Sequence, residues 1–272
     1  ETLRADIEAV VLTPEEMRKS SAGRKPLDAI VMFRMLVLQA LNNLSDEQAE
    51  YQVRDRLSFT RFLRLGIEDS IPDATTLVPV PTQRNSRDEN EAVKAGRIPE
   101  EWDNKPAKLR QKDRDARWTK RHGRSFFGYK NHVNADAKHK LIRRYEVTDA
   151  AVHDSQKLDE LLTKGNTSAD VFGDSAYRSS AIEERLRAGG FKSRIHVRAT
   201  RKRSLSEAQA NANHNRSKIR ARVEHVFAAQ QTALGGRIVR TIGIVRARAK
   251  IGLQNLAYNI RRLMTLERIA AA

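Results

Sequence analysis

The sequence predicts a mixed α/β fold preceded by a small all-helical N-terminal domain. Three observations carry this. Helical apolar stretches fill residues 27–66, a pair of strand-like runs joined by a polar turn occupies 126–149, and strands then alternate with helices to residue 268. The expected division is 1–70 for the helical domain and 71–272 for the α/β domain, with a basic linker at 83–124.

Residues 27–43, LDAIVMFRMLVLQALNN, are apolar nearly all round, as a helix buried among others would be. Ser45 and Gln48 then form a capping-box pattern that starts a second helix, over about 46–56. A third piece, SFTRFLRLG, ends at Gly66, a candidate C-cap. Three short helices with tight connections suit either a helix-turn-helix-like module or an ordinary packing domain. Residues 71–82, IPDATTLVPVPT, are β-prone but punctuated by proline, so any strand there is short or at an edge. The polar stretches of 83–124 read as a flexible arm over a partner or as a solvated loop.

Order returns at Phe126. FFGYKNHVNAD and KHKLIRRYEVTDA make a hairpin turning at 135–138. A helix near 155–162, the strand ADVFGD, a helix from Ser179 to Arg187 closed by Gly189 and Gly190, and the strand SRIHVRA come after it. The helix NRSKIRARVEHVFAAQQ is next. A last helix covers about 245–268 with Ile251, Leu256, Ile260, Leu263 and Met264 on one stripe.

Charge narrows the partner. The chain carries 51 Lys and Arg against 34 Asp and Glu, a net of +17. Residues 1–72 hold 10 basic and 12 acidic groups, so the excess lies wholly in 73–272, with 41 against 22. Such a field attracts a polyanion, and nucleic acid is the usual one. Aromatic residues make up only 6% and do not interleave with basic ones, which disfavours base stacking on single-stranded RNA. No cysteine is present, which excludes disulfides and thiolate metal sites and fits a reducing, cytoplasmic setting. No apolar run approaches a membrane span, and ETLRADIEAVVL lacks the layout of a signal peptide.

Two acids stand out. Asp174, in GDSAYRS, lies just past a strand end, the rim where open α/β sheets place their sites, between small neighbours that leave room for a ligand. The alternative is a cap for the following helix, though it sits five residues too early. Glu224 flanks the apolar face that Ile219, Val223, Val226 and Phe227 give their helix, so it can lean towards Asp174. The alternative is an i,i+4 ion pair with Arg220, worth about 0.3–0.5 kcal/mol.

GDSAYRS, followed about 45 residues later by RARVEHVF, resembles the second and third acidic motifs of DDE transposases of bacterial insertion sequences, the insertion-sequence-five group. FFGYKNHVNADAKHKLIRRYEVTDAAVHDSQ, VRTIGIVRARAKIGLQNLAYNIRRL and LVLQALNNLSDEQAEYQVRDRLSF resemble the same group, so the likeness runs through most of 25–268. It implies an RNase H-like mixed sheet with flanking helices that binds magnesium, or manganese, through three carboxylates. It also implies double-stranded DNA as partner, at element ends and target, and a homo-oligomer on that DNA. Asp174 and Glu224 match the second and third ligands, and Arg220 would steady Glu224 or meet a phosphate.

The first acid is where the chain departs from the pattern. The group carries an upstream P-D-A-T-T-L segment and, several tens of residues later, a catalytic V-D-A-T-[IL]-V-P strand. Here residues 71–79, IPDATTLVP, fuse the two, as an internal deletion would. Asp73 is then either the upstream aspartate or a stand-in for the catalytic one. One extra residue before Val78 turns it to the opposite strand face unless a bulge absorbs the slip. Two readings remain: a transposase that cuts and joins DNA, and an inactive, deleted remnant that only binds it.

Arg178, Arg198, Arg201, Lys202, Arg203 and Arg220 are the candidate phosphate contacts, positioning DNA without reading it. His132 and His139 flank the hairpin turn and read as surface histidines rather than a metal pair. His225 touches DNA or the sheet, Asp154 reads as a helix cap, and Asp149 opens the same turn.

Overall fold

The computed structural model describes residues 4, 28–66, 68–72, 84–121, 123–199, 204–233 and 241–272. The chain divides into two compact units, 1–79 with 232–238, and 80–231 with 239–272. The second is mixed α/β.

In the first unit, α1 (Ala29–Asn42) starts at Asp28, whose carboxylate takes the amides of Ile30 and Val31, and stops at Asn43 in the left-handed conformation. α2 (Asp46–Asp55) has both halves of the Ser45–Gln48 capping box. α3 (Leu57–Leu63) ends at Arg64 (φ 58°) and not at Gly66, because the amides of Arg64 and Leu65 already satisfy the carbonyls of Arg61 and Thr60. Met35, Leu38, Ala49, Val53 and Leu63 form the core, and the Thr60 hydroxyl ties α3 to α2 by donating to the Val53 carbonyl.

The stretch expected to be a basic linker is ordered. It forms α4 (Arg87–Lys94), α5 (Glu100–Asp103), α6 (Pro106–Gln111) and strand β1 (Arg117–Arg121). The local cause is a capping box of Ser86 and Glu89, and the Glu89 side chain then gathers the residues downstream of it. It accepts from the Trp102 indole at 2.7 Å and from Lys112 Nζ at 2.8 Å. Trp102 is completely buried, with the Lys112 ammonium 5.4 Å from its ring centroid. Burial opposes the Glu89 charge, yet Lys112, the Ser86 amide and Trp102 hold its pKa down to about 2.

β2 (Arg124–Ala135) is the middle strand of an antiparallel sheet, pairing with β1 along 124–128 and with β3 (Ile142–Asp149) along 129–135. Its alternation sends Lys130, His132 and Asn134 to one face and Tyr129 and Asn131 to the other. The first face meets the carbonyls of Val152 and Leu161, in a segment containing a 3-10 turn (Asp154–Lys157) and α7 (Leu158–Leu161). The second face meets α10 (Ile244–Ala271).

That docking is polar. Ile251 of the expected apolar stripe is buried, whereas Leu256, Leu263 and Met264 are 39%, 47% and 48% exposed. Asn255 joins Asn131 of β2 and Gln230 of α9 (Glu207–Ala233), and Asn259 both accepts from the Ile142 amide and donates to its carbonyl. An amide side chain with one donor and one acceptor extends the sheet edge as a strand would, so hydropathy periodicity missed the buried face. Asp113 fixes the start of α10. It is buried and accepts from the Tyr129 hydroxyl, the Gly243 amide and the amides of Asp115 and Ala116.

A second sheet holds β4 (Asp170–Gly173) and β5 (Lys192–Ile195), parallel and connected by α8 (Ser180–Ala188). One continuous mixed sheet was expected. Among the described residues no ladder joins the two sheets, and most of the β-prone segment 71–82 lies outside those residues. Leu158, Ile182, Leu186 and Ile195 form the core beneath β4 and β5. Gly190, at φ +78°, closes α8 in a conformation that favours glycine.

Candidate active site at the β4–β5 rim

Asp174 stands at the C-terminal end of β4, where the sequence placed it. It also caps, but not the helix at Ser179. Asp174 Oδ1 accepts from the Ala176 amide at 2.8 Å and starts a one-turn 3-10 helix, Ser175–Tyr177, while Ser179 caps α8. The other oxygen, Oδ2, has no bonded partner among the described residues. A Cβ at Gly173 would make ordinary van der Waals contact with Ile195 at 3.4 Å and Tyr177 at 3.5 Å.

α9 brings the rest of the site. It begins at residue 207, well before the expected 215, because Ser206 and Gln209 form a further reciprocal cap. Asn213 clamps the end of β5, accepting from the Val197 amide and donating to its carbonyl, both at 2.9 Å. One turn on, Arg216 donates to the Ile195 carbonyl at 3.0 Å, and Ser217 Oγ lies 3.4 Å from His196 Nε2. Arg178 reaches the same Ile195 carbonyl from the other side at 3.1 Å. Residues 213, 216, 217, 220 and 224 share one stripe of the helix, and the first three of them meet the end of β5.

Arg220 and Glu224 form the i,i+4 pair at 3.0 Å that was the alternative reading of Glu224. Glu224 is 60% exposed, and the buried Arg220 Nε has no hydrogen-bond partner among the described residues. His196 feels Asp174 and Arg220 electrostatically. Burial lowers its pKa first, Arg220 and Arg216 lower it further, and Asp174 opposes them. Asp73, Arg201, Lys202 and Arg203 lie outside the described residues, and Arg198 is exposed.

Among the described residues no trio of His, Asp or Glu gathers as a metal-holding group. The donors at the rim still suit a hard divalent cation in kind: one carboxylate with an uncommitted oxygen, and a second, exposed carboxylate on the facing helix stripe. The sequence missed Asn213, Arg216 and His196. A side chain that bonds one residue's backbone from sixteen positions away leaves no local signal, whereas the missed start of α9 did carry one, in the spacing of Ser206 and Gln209.

The remaining histidine and aspartate readings divide. His132 is buried, not a surface residue, and lies against Thr148 and Asp154. Asp154 does not cap its turn, a task His153 performs. His139 is exposed and 3.3 Å from Asp136. His225 packs edge-on to Tyr258 of α10, and burial, then Lys140 and Arg262, lower its pKa. Asp149 closes its turn by accepting from the Ala151 amide.

Comparisons with known proteins bear on the family rather than on the site. The transposase DDE domain family matches residues 77–260, and a transposase domain of the DUF772 family matches 5–80. The chain is 28% identical over 149 residues to a transposase for insertion sequence element IS1106 of Neisseria meningitidis serogroup B, covering 55% of this chain. It spans about half, 51%, of that relative's length. No solved structure matches. With the DDE family match spanning well over half of the sequence, the chain belongs to the transposase DDE domain family.

Proposed function

We propose that this chain acts as a transposase, catalysing metal-dependent cleavage and strand transfer of insertion-sequence DNA. The observation that carries the reading is the rim itself. Among the described residues Asp174 keeps a carboxylate oxygen uncommitted beyond the end of β4, and α9 is clamped to the end of β5 on a stripe that runs on to Glu224. In this reading the second unit is an RNase H-like core of the insertion-sequence-five group, shortened by an internal deletion around its first catalytic strand.

Asp174 and Glu224 would hold magnesium or manganese, with Asp73 as the third carboxylate. Such ions, when bound, supply activation of the attacking oxygen and stabilisation of the leaving one. The chain's own residues position and neutralise. Arg220 restrains Glu224 by a charge-assisted bond, Arg178 and Arg216 fix the β5 end, and Arg198, with Arg201, Lys202 and Arg203, would meet phosphates. The excess of basic groups beyond residue 72 supports double-stranded DNA as partner. Assembly as a homo-oligomer on paired ends, and a cytoplasmic location, complete the proposal. No described helix is long and apolar enough to cross a membrane.

The test is cleavage of a DNA duplex carrying the sequences that flank the chain's own gene, with magnesium or manganese. Wild type should nick the duplex, and Glu224→Gln should abolish nicking while DNA affinity holds. Binding without nicking by the wild type, under either metal, would make the chain a DNA-binding remnant.

A further inference from the structure

Beside the rim, on β2, lies a charge cluster with no part in the candidate metal site: a buried His132 flanked by the partly exposed Lys130 and Asp154. Lys130 and His132 are two residues apart and share a face of the strand. The His132 side chain is 1% exposed. Its Nε2 is 2.8 Å from Thr148 Oγ1, and the Thr148 hydroxyl donates to the Asp149 carbonyl at 2.9 Å. With that proton committed, the hydroxyl can only accept, so Nε2 donates.

The other ring nitrogen, Nδ1, lies 3.0 Å from Asp154 Oδ1, close but out of line for a well-formed hydrogen bond. Lys130 Nζ donates to the Val152 carbonyl at 2.7 Å and stands 3.5 Å from the same Asp154 oxygen. His132, then Lys130, hold the Asp154 carboxyl below its usual range against the effect of burial.

Asp154 opens the 3-10 turn Asp154–Lys157, and that turn packs against the 3-10 turn Ser175–Tyr177, which Asp174 caps. Tyr177 is the last residue of the second turn. Its hydroxyl is pushed up by burial first, and then by the carboxylates of both Asp154 and Asp174. The contact matters because, among the described residues, no ladder hydrogen bonds join the β2 sheet to the β4 sheet. A route from one sheet to the other runs from β2 through His132, Asp154 and the paired turns to Asp174.

We propose that Lys130, His132 and Asp154 form a positioning cluster for Asp174, anchoring its turn to the antiparallel sheet. His132 and Asp154 touch neither DNA nor the reacting atoms; they act through the turn. The catalytic consequence rests on the function proposed above, but the mechanical one does not. Asp154→Asn keeps the shape and removes the charge, and Asp154→Glu restores the charge on a longer arm.

The test measures amide hydrogen exchange in the full chain alongside single-turnover nicking. Tyr177 donates its amide to the Asp174 carbonyl and Arg178 donates to that of Ser175, so these amides report the turn. Asp154→Asn should speed their exchange about tenfold or more, the effect of losing a charge-assisted contact. Ladder amides of β2 and β3 should stay as in wild type, and Asp154→Glu should recover part of the protection. Nicking at saturating DNA should fall in Asp154→Asn while the Kd for DNA holds.

Unchanged exchange at Tyr177 and Arg178 overturns the proposal. So does faster exchange throughout residues 80–231, which would make the cluster a general folding element. If the wild type does not nick at all, the proposed function fails, and the exchange pattern still decides this inference.

Discussion

Replacing Glu89 by glutamine removes a charge that the segment 84–121 is built around. The Glu89 carboxylate is 17% exposed and meets Lys112 Nζ at 2.8 Å, with Lys112 only 6% exposed. Holding its pKa at about 2 rather than 4.5 favours the charged form by about 3 kcal/mol, at about 1.4 kcal/mol per tenfold in proton affinity. The variant also strands Lys112 without its counter-charge, and breaking a buried pair in this way costs about 3–5 kcal/mol.

Urea unfolding monitored by tryptophan fluorescence reads this directly. The chain has two tryptophans, and both, Trp102 and Trp118, belong to this segment. Glu89→Gln should lower the unfolding free energy by about 3 kcal/mol. Because the folded pKa is depressed, the stabilisation is fully present above about pH 4.5 and is lost as pH falls towards 2. The difference between wild type and variant should therefore shrink across that window. A loss under about 1 kcal/mol, the size of an exposed pair, or a difference that persists to pH 2, would refute the reasoning.

Single side chains carry the other expectations. Asp113→Asn removes a buried carboxylate that collects the Tyr129 hydroxyl and the Gly243, Asp115 and Ala116 amides, and should cost about 2–3 kcal/mol in the same assay. Asn213→Ala should speed amide exchange at Val197 about tenfold and lower nicking, since the clamp of α9 on β5 is lost. Ser45→Ala should destabilise α2 by about 1 kcal/mol, read as faster exchange of the Gln48 amide.

Elements whose cause is local were legible in the sequence. The Ser45–Gln48 cap, a tight turn between β2 and β3 (expected at 135–138 and found at 136–141), the Gly189–Gly190 stop and the position of Asp174 past a strand end all depend on neighbours within a few residues. The order of segment 84–121 was not legible, because it comes from Glu89 gathering Trp102 and Lys112, a pairing across 13 and 23 positions. The α10 stripe escaped for a related reason. Its buried face carries Asn255 and Tyr258, which bond to β2 and to the β2–β3 turn, so polarity marked the inside rather than the outside. The sequence named Asp174, Glu224 and Arg220, while the contacts of His196 and Arg216 arise only through the packing of α9 on β5.

The central claim, that Asp174 and Glu224 face one divalent-cation site, is tested most directly by manganese. In an isotope-labelled full chain, sub-stoichiometric Mn²⁺ broadens amide signals near wherever it binds. The account predicts that the Asp174–Tyr177 and Arg220–Glu224 amides broaden together, with one concentration dependence, and that Asp174→Asn abolishes both effects. Broadening of one set without the other, or of both sets undiminished in Asp174→Asn, would contradict it.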